Sequence, residues 1–147
     1  MFRGRFLHTI DSKGRVSLPA GFRMELQRRS DRPPILTILP DCLALYAAED
    51  WERVEERITD VDPLRIEGHS IQRFLISSCV ECPPDAQGRI LIPPFLREHA
   101  QLDRDVTIAG VGKRIEVWDR ARFAQELTRT HAQFGEISSE VSKLGER

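Results

Sequence analysis

The stretch Asp11-Ser12-Lys13-Gly14-Arg15-Val16-Ser17-Leu18-Pro19 decides the fold, because the chain carries it twice. It returns as Asp85-Ala86-Gln87-Gly88-Arg89-Ile90-Leu91-Ile92-Pro93, with Asp, Gly, Arg and Pro in register and apolar residues at the matching places between them. The match runs on into Phe22-Arg23 and Leu96-Arg97. Self-similarity of this kind means two copies of one supersecondary unit. An Asp side chain bonds backbone N–H groups two residues on, and Gly accepts positive φ without steric cost. Asp11 and Gly14, like Asp85 and Gly88, therefore read as turn formers. Each turn holds a basic residue, Arg15 or Arg89, on a tight bend.

Outward from the first turn, Arg5 to Ile10 alternate weakly as a strand, and Val16 and Leu18 face together on the next. Pro19 suits the first turn of a helix, where its missing N–H costs nothing, and Phe22 and Leu26 give that helix one apolar stripe. Ile35–Leu39 and Cys42–Tyr46 flank Pro40-Asp41 as a hairpin. Glu49 and Asp50 lead an amphipathic helix through Trp51, Val54 and Ile58. The unit is β-β-α-β-β-α. The second copy opens on a strand at Cys79–Cys82, aligned with Arg5–His8, and continues through the Ile90/Ile92 strand and a helix from Pro93-Pro94 to Ala100. A hairpin around Gly110-Val111-Gly112 and a helix carrying Phe123, Leu127 and Phe134 complete it. Trp118 matches Tyr46 and Phe123 matches Trp51; Trp51, Trp118 and Phe123 are expected in the core.

The expected fold class is α+β, mainly β, with two such units in a pseudo-twofold arrangement. The boundaries fall at 5–51 with a flanking helix to about 58, a linker and connecting helix over 59–78, and 81–124 with a flanking helix to about 134. Residues 135–147 are expected to be a mobile tail, although Ile137, Val141 and Leu144 have helical spacing. A unit this small buries too little surface to be stable alone. Each copy must cover the apolar face of the other.

Composition is that of a globular protein, 40% apolar and 31% charged over 147 residues. No apolar run approaches the roughly 18 residues of a membrane helix, and Met1-Phe2-Arg3-Gly4-Arg5-Phe6 lacks the pattern of a signal peptide, so a cytoplasmic location without membrane attachment is expected. Three cysteines fit a reducing compartment. Cys79-x-x-Cys82 has no second pair to complete a zinc site, and His8, His69, His99 and His131 are scattered. No catalytic, metal or cofactor motif appears, so an enzyme is not expected. Net charge is −1, yet residues 1–35 hold Arg3, Arg5, Lys13, Arg15, Arg23, Arg28, Arg29 and Arg32 against only Asp11, Glu25 and Asp31. That surplus is either a directed electrostatic patch or a solvated face. Arg15 also suits an ion pair to the turn aspartate that pins the hairpin.

The strand, Asp-x-x-Gly-Arg turn, strand ending in Pro and short helix resemble the SpoVT-AbrB swapped-hairpin DNA-binding unit, also described as double-psi-like. Two in tandem, opening on Met1-Phe2-Arg3-Gly4-Arg5 and carrying Leu91-Ile92-Pro93-Pro94 and the Tyr46/Trp118 hairpin ends, resemble the MraZ family of bacterial transcriptional regulators. The resemblance implies a nucleoid-associated regulator binding tandem repeats in double-stranded DNA upstream of the cell-division and cell-wall gene cluster. It further implies control of its own promoter, mainly as a repressor, and assembly into ring-like homo-oligomers. By carry-over Arg15 leads the DNA contact, with Lys13, Arg3 and Arg5 beside it and Arg89 at the matching place in the second unit. Gln87 stands where the first unit has Lys13, which makes the second turn the poorer electrostatic site. The alternative is a protein–protein interaction module, antitoxin-like or scaffold, on the same fold.

Overall fold

In the computed structural model, which describes residues 1–145, the first half comprises β1 (Phe2–Thr9), β2 (Arg15–Ser17), α1 (Ala20–Arg29), β3 (Ile35–Ile38), β4 (Leu43–Tyr46) and α2 (Ala48–Thr59). A connecting helix, α3 (Ile66–Ile76), leads to β5 (Val80–Glu81), β6 (Arg89–Leu91), α4 (Pro94–Ala100), β7 (Asp105–Gly112), β8 (Arg114–Asp119) and α5 (Arg120–Ala132). A last helix, α6, covers Phe134–Gly145.

The halves exchange strands. The six-stranded sheet runs β1-β7-β8-β4-β3-β5, antiparallel throughout, and it reads the same from either end once each strand is replaced by its counterpart. β1 of the first half thus pairs with β7 of the second, while β5 of the second pairs with β3 of the first. The remaining strands, β2 and β6, form a separate ribbon with Val16 opposite Ile90. This is the expected α+β fold of two units related by a pseudo-twofold axis.

One core serves both halves. Val16, Leu18, Phe22, Leu36 and Leu45 pack in the same buried cluster as Ile90, Ile92, Leu96, Ile108 and Val117. Burying each such side chain fully contributes about 1.5–3 kcal/mol, so neither half has a core of its own to retreat to. A smaller cluster centres on Tyr46 and Trp51, where α3 docks through Leu75. Thr37 Oγ1 donates to Leu75 O at 2.7 Å and Gln72 Nε2 to Ile58 O at 3.1 Å, fixing that helix.

The copies differ where proline intervenes. β5 has two residues against eight in β1. Its ladder stops where Cys82 N donates to Pro34 O, because Pro34, Pro83 and Pro84 have no N–H to continue it. In the first half the ladder runs two residues further, to Ile10, whose N–H donates to Arg104 O; the second half has Pro84 at that place. Val80 opposite Leu36 stands as Phe6 stands opposite Ile108, which keeps the expected alignment of Cys79–Cys82 with Arg5–His8. Phe123, expected in the core, is half-buried on α5 and meets Trp118 edge-on at 5.6 Å. Residues 135–145, expected as a mobile tail, continue α6, with Ile137, Val141 and Leu144 at helical spacing and a Lys143–Glu140 ion pair at 3.3 Å. The last two residues of that expected tail, 146 and 147, lie outside the described residues.

Candidate nucleic-acid interface

The two turns are built alike. Asp11 Oδ1 accepts from the backbone N–H groups of Lys13 and Arg15, each at 2.9 Å, and Gly14 sits at φ +85°. Asp85 Oδ1 accepts from Gln87 and Arg89, again at 2.9 Å, with Gly88 at φ +76°. The second carboxylate oxygen of each Asp takes the Nε of its arginine: Arg15 to Asp11 at 2.8 Å, Arg89 to Asp85 at 2.9 Å. These bonds favour the charged carboxylate. The Arg15 backbone N–H, then its side chain and the Lys13 N–H, hold the Asp11 carboxyl down at about 2, against 3.8 ordinarily. Asp85 is lowered for the same reasons, the Arg89 N–H foremost.

Each turn is braced by the other half. Ile92 N donates to Gly14 O at 2.9 Å and Leu18 N to Gly88 O at 3.0 Å. Arg97 of α4 lies beneath Gly14 while its Nε bonds Ile92 O at 3.0 Å, and Arg23 of α1 lies beneath Gly88. Sequence reasoning noted that Arg23 and Arg97 match without giving them a role; they are the cross-braces. Positive φ favours glycine at both turns, and a Cβ there would also press on the guanidinium beneath.

The ribbon has two faces. Val16 and Ile90 point into the core, whereas Arg15, Ser17, Arg89 and Leu91 share the outer face. Leu91 is 57% exposed, an apolar residue amid polar neighbours that the sequence pattern did not single out. Lys13 and Gln87 flank this face from the turns. Gln87 Oε1 accepts from Arg89 Nη2 at 3.2 Å, so the second arginine is tied at two nitrogens. Lys13 offers Arg15 no acceptor, and among the described residues Arg15 is bonded through Nε alone at its guanidinium.

Lys13, Arg15 and Arg89 thus come together, and Arg3 and Arg5 do not join them. They pair with Val111 and Ala109 at the far end of β1. At about 3.3 Å per residue, Arg5 stands roughly 20 Å along the strand from Asp11. Arg5 lies over the Phe123 ring at 5.7 Å. The wider basic patch dissolves as well. Arg28 and Arg29 bond Glu25, Arg29 also bonds Asp50, and Arg32 bonds Glu49 and Glu52. No group of three or more metal-ligating side chains exists among the described residues, and Cys42, Cys79 and Cys82 are free thiols.

A strand-exchanged pair of AbrB-like units, each presenting an arginine from an Asp-braced turn, defines the class. The family model described as "MraZ protein, putative antitoxin-like" matches residues 1–73 and again 75–142, one match per half. Proteins named transcriptional regulator MraZ match nearly the whole chain: that of Thermoanaerobacter pseudethanolicus is 38% identical over 98% of this chain and 99% of its own length. Its counterpart in Caldanaerobacter subterraneus is 39% identical over the same shares. The Syntrophobacter fumaroxidans protein is 42% identical over 82% of this chain and 80% of its own. The chain belongs to the MraZ family of transcriptional regulators. No described helix is long and apolar enough to cross a membrane.

Proposed function

We propose that this chain regulates transcription by binding double-stranded DNA sequence-specifically through the outer face of the β2–β6 ribbon. Its targets are tandem repeats upstream of the cell-division and cell-wall gene cluster, including its own promoter, where it acts mainly as a repressor. The observation that carries the reading is Arg15, held by Asp11 through Nε, with neither terminal nitrogen hydrogen-bonded among the described residues. An arginine so held can bond guanine O6 and N7 bidentately, and a two-stranded ribbon fits the major groove. Lys13 suits a phosphate, which positions without reading sequence. Arg89, held by both Asp85 and Gln87, is the weaker partner. Arg3 and Arg5, far along β1, meet at most the flanking backbone.

A chain of net charge −1 with so small a cationic face binds weakly alone. Assembly into a ring over spaced repeats multiplies that face through avidity. The apolar surface of α3, where Ile71 is 51% and Phe74 40% exposed, suits contact between subunits.

The test is fluorescence anisotropy with the chain's own upstream DNA. Folded, oligomeric Arg15→Ala is expected to lose about 1–3 kcal/mol of discrimination at the guanine it reads. The parent's log K should fall steeply with log salt. Binding by Arg15→Ala as tight as the parent's would sink the reading and favour an antitoxin-like module that grips protein instead.

A further inference from the structure

Two clefts are related by the same pseudo-twofold axis, and their charges have diverged. The first, of about 600 Å³, lies between α2 and the β7–β8 turn and is lined by Tyr46, Asp50, Arg53, Arg57, Lys113 and Arg114 among others. The second, of about 230 Å³, lies between α5 and the β3–β4 turn and is lined by Asp41, Trp118, Arg122, Gln125, Glu126 and Arg129. The positions correspond: Trp118 stands for Tyr46, Arg122 for Asp50, Arg129 for Arg57 and Asp41 for Lys113.

The second cleft is neutralised within itself. Arg122 bonds Asp41 at 3.2 Å and Arg129 bonds Glu126. In the first, four cations face one carboxylate, and that carboxylate is already shared: Asp50 takes Arg29 at 2.8 Å and Arg53 at 2.9 Å. Arg114 is held by Glu116 at 2.9 Å. Among the described residues, Arg57 and Lys113 have no ion-pair partner, and both are exposed. Two cations without counter-charge, beside two that are paired, raise the affinity of a recess for anions, and arginine forks match phosphate oxygens. Tyr46 and Val54 add an apolar wall.

We infer that the cleft between α2 and the β7–β8 turn binds a small, multiply charged phosphate-bearing molecule of nucleotide size. This goes beyond DNA recognition by the ribbon. The cleft lies at the end of β1 where Phe2 pairs with Gly112, opposite the end that enters the Asp11 turn. It is a recess rather than a projecting ribbon, which suits a compact ligand better than a duplex.

The experiment is isothermal titration of the full chain with inorganic tripolyphosphate and with ATP. The parent is expected to bind both, and Arg57→Ala/Lys113→Ala to weaken binding by about tenfold or more, a change of about 1.4 kcal/mol. The counterpart variant Arg122→Ala/Arg129→Ala should bind as the parent does. Both pairs include exposed side chains, and circular dichroism checks that each variant is folded. No binding by the parent, or equal losses in the two variants, overturns the inference. A labelled upstream duplex separates the two sources of phosphate. Arg57→Ala/Lys113→Ala is expected to keep the parent's DNA affinity, and a DNA loss as large as that of Arg15→Ala would overturn the small-ligand assignment.

Discussion

Asp11 and Arg15 are joined three times: Arg15 N–H to Asp11 Oδ1 at 2.9 Å, Arg15 Nε to Oδ2 at 2.8 Å, and Asp11 N–H to Arg15 O at 2.9 Å. The carboxylate therefore fixes both the turn and the direction of the guanidinium. Asp11→Ala removes side-chain acceptors without removing a DNA-facing group. The expected result is weaker binding of upstream DNA, by about 1 kcal/mol or more, from the lost order of Arg15. Asp11→Asn, which keeps one oxygen to accept from the Lys13 and Arg15 backbone N–H groups but loses the charge and the acceptor for Arg15 Nε, should fall between. Anisotropy on the two variants checks the order.

The same carboxylates set an acid limit on stability. Asp11 titrates at about 2 in the folded chain against 3.8 ordinarily, and Asp85 is shifted the same way. A depressed folded pKa means that the stabilisation is complete above the unfolded value and is lost as pH falls through the folded one. Urea midpoints should therefore decline as pH drops from roughly 4 towards 2. The Asp11→Asn/Asp85→Asn variant should show a shallower decline over that window. An equal slope would mean that other carboxylates, such as the strongly depressed Glu25 beneath Arg28, govern acid unfolding.

Glycine positions separate turn geometry from helix propensity. Gly14 and Gly88 combine positive φ with an arginine underneath, so Gly88→Ala should destabilise by about 1–3 kcal/mol. Gly21 lies on the open side of α1, with nothing near a new Cβ. Gly21→Ala should instead stabilise by up to about 1 kcal/mol. Urea denaturation of the two variants gives opposite signs if the assignment holds.

These turns were the legible part of the sequence, because Asp, Gly and Pro act on backbone within a few residues. The pairing of β1 with β7 was not. It joins residues about a hundred apart, and no local pattern names the partner of a strand. The halves' shared core was inferred correctly from their size. The basic surplus of residues 1–35 left a patch and a solvated face both open, because its counter-charges, Glu49, Asp50 and Glu52, come later on α2. At the site, the sequence placed Arg15, Lys13 and Arg89 on matching turns, and the structure gathers them on one ribbon. It could not show that Arg3 and Arg5 run away along β1, nor that Arg23 and Arg97 support the opposite turns.

Arg29 ties the two ends of the first half together. It bonds Asp50 at 2.8 Å and Glu25 at 3.0 Å, with Arg29 and Asp50 side chains 16% and 9% exposed, and it lies 5.2 Å from the Phe2 ring centre. Arg29→Ala leaves Asp50 to the exposed Arg53 alone, at an expected loss of about 3 kcal/mol. Arg29→Ala/Asp50→Ala should cost less than the sum of the single changes, because neither charge is then stranded. Urea midpoints for the three variants complete the cycle.

Lys13 and Gln87 occupy the same place in the two copies and differ in charge. Each phosphate neutralised adds about 0.9 to the magnitude of the slope of log K against log salt. Lys13→Gln should therefore flatten that slope by about one for each engaged subunit. Gln87→Lys has two effects: it adds a charge and removes the Oε1 that holds Arg89 Nη2 at 3.2 Å. If the second turn also lies over the duplex, Gln87→Lys steepens the slope and tightens binding. If only the first turn touches DNA, Gln87→Lys leaves the slope unchanged while Lys13→Gln still flattens it. A slope insensitive to both changes would remove the ribbon's outer face from the DNA interface.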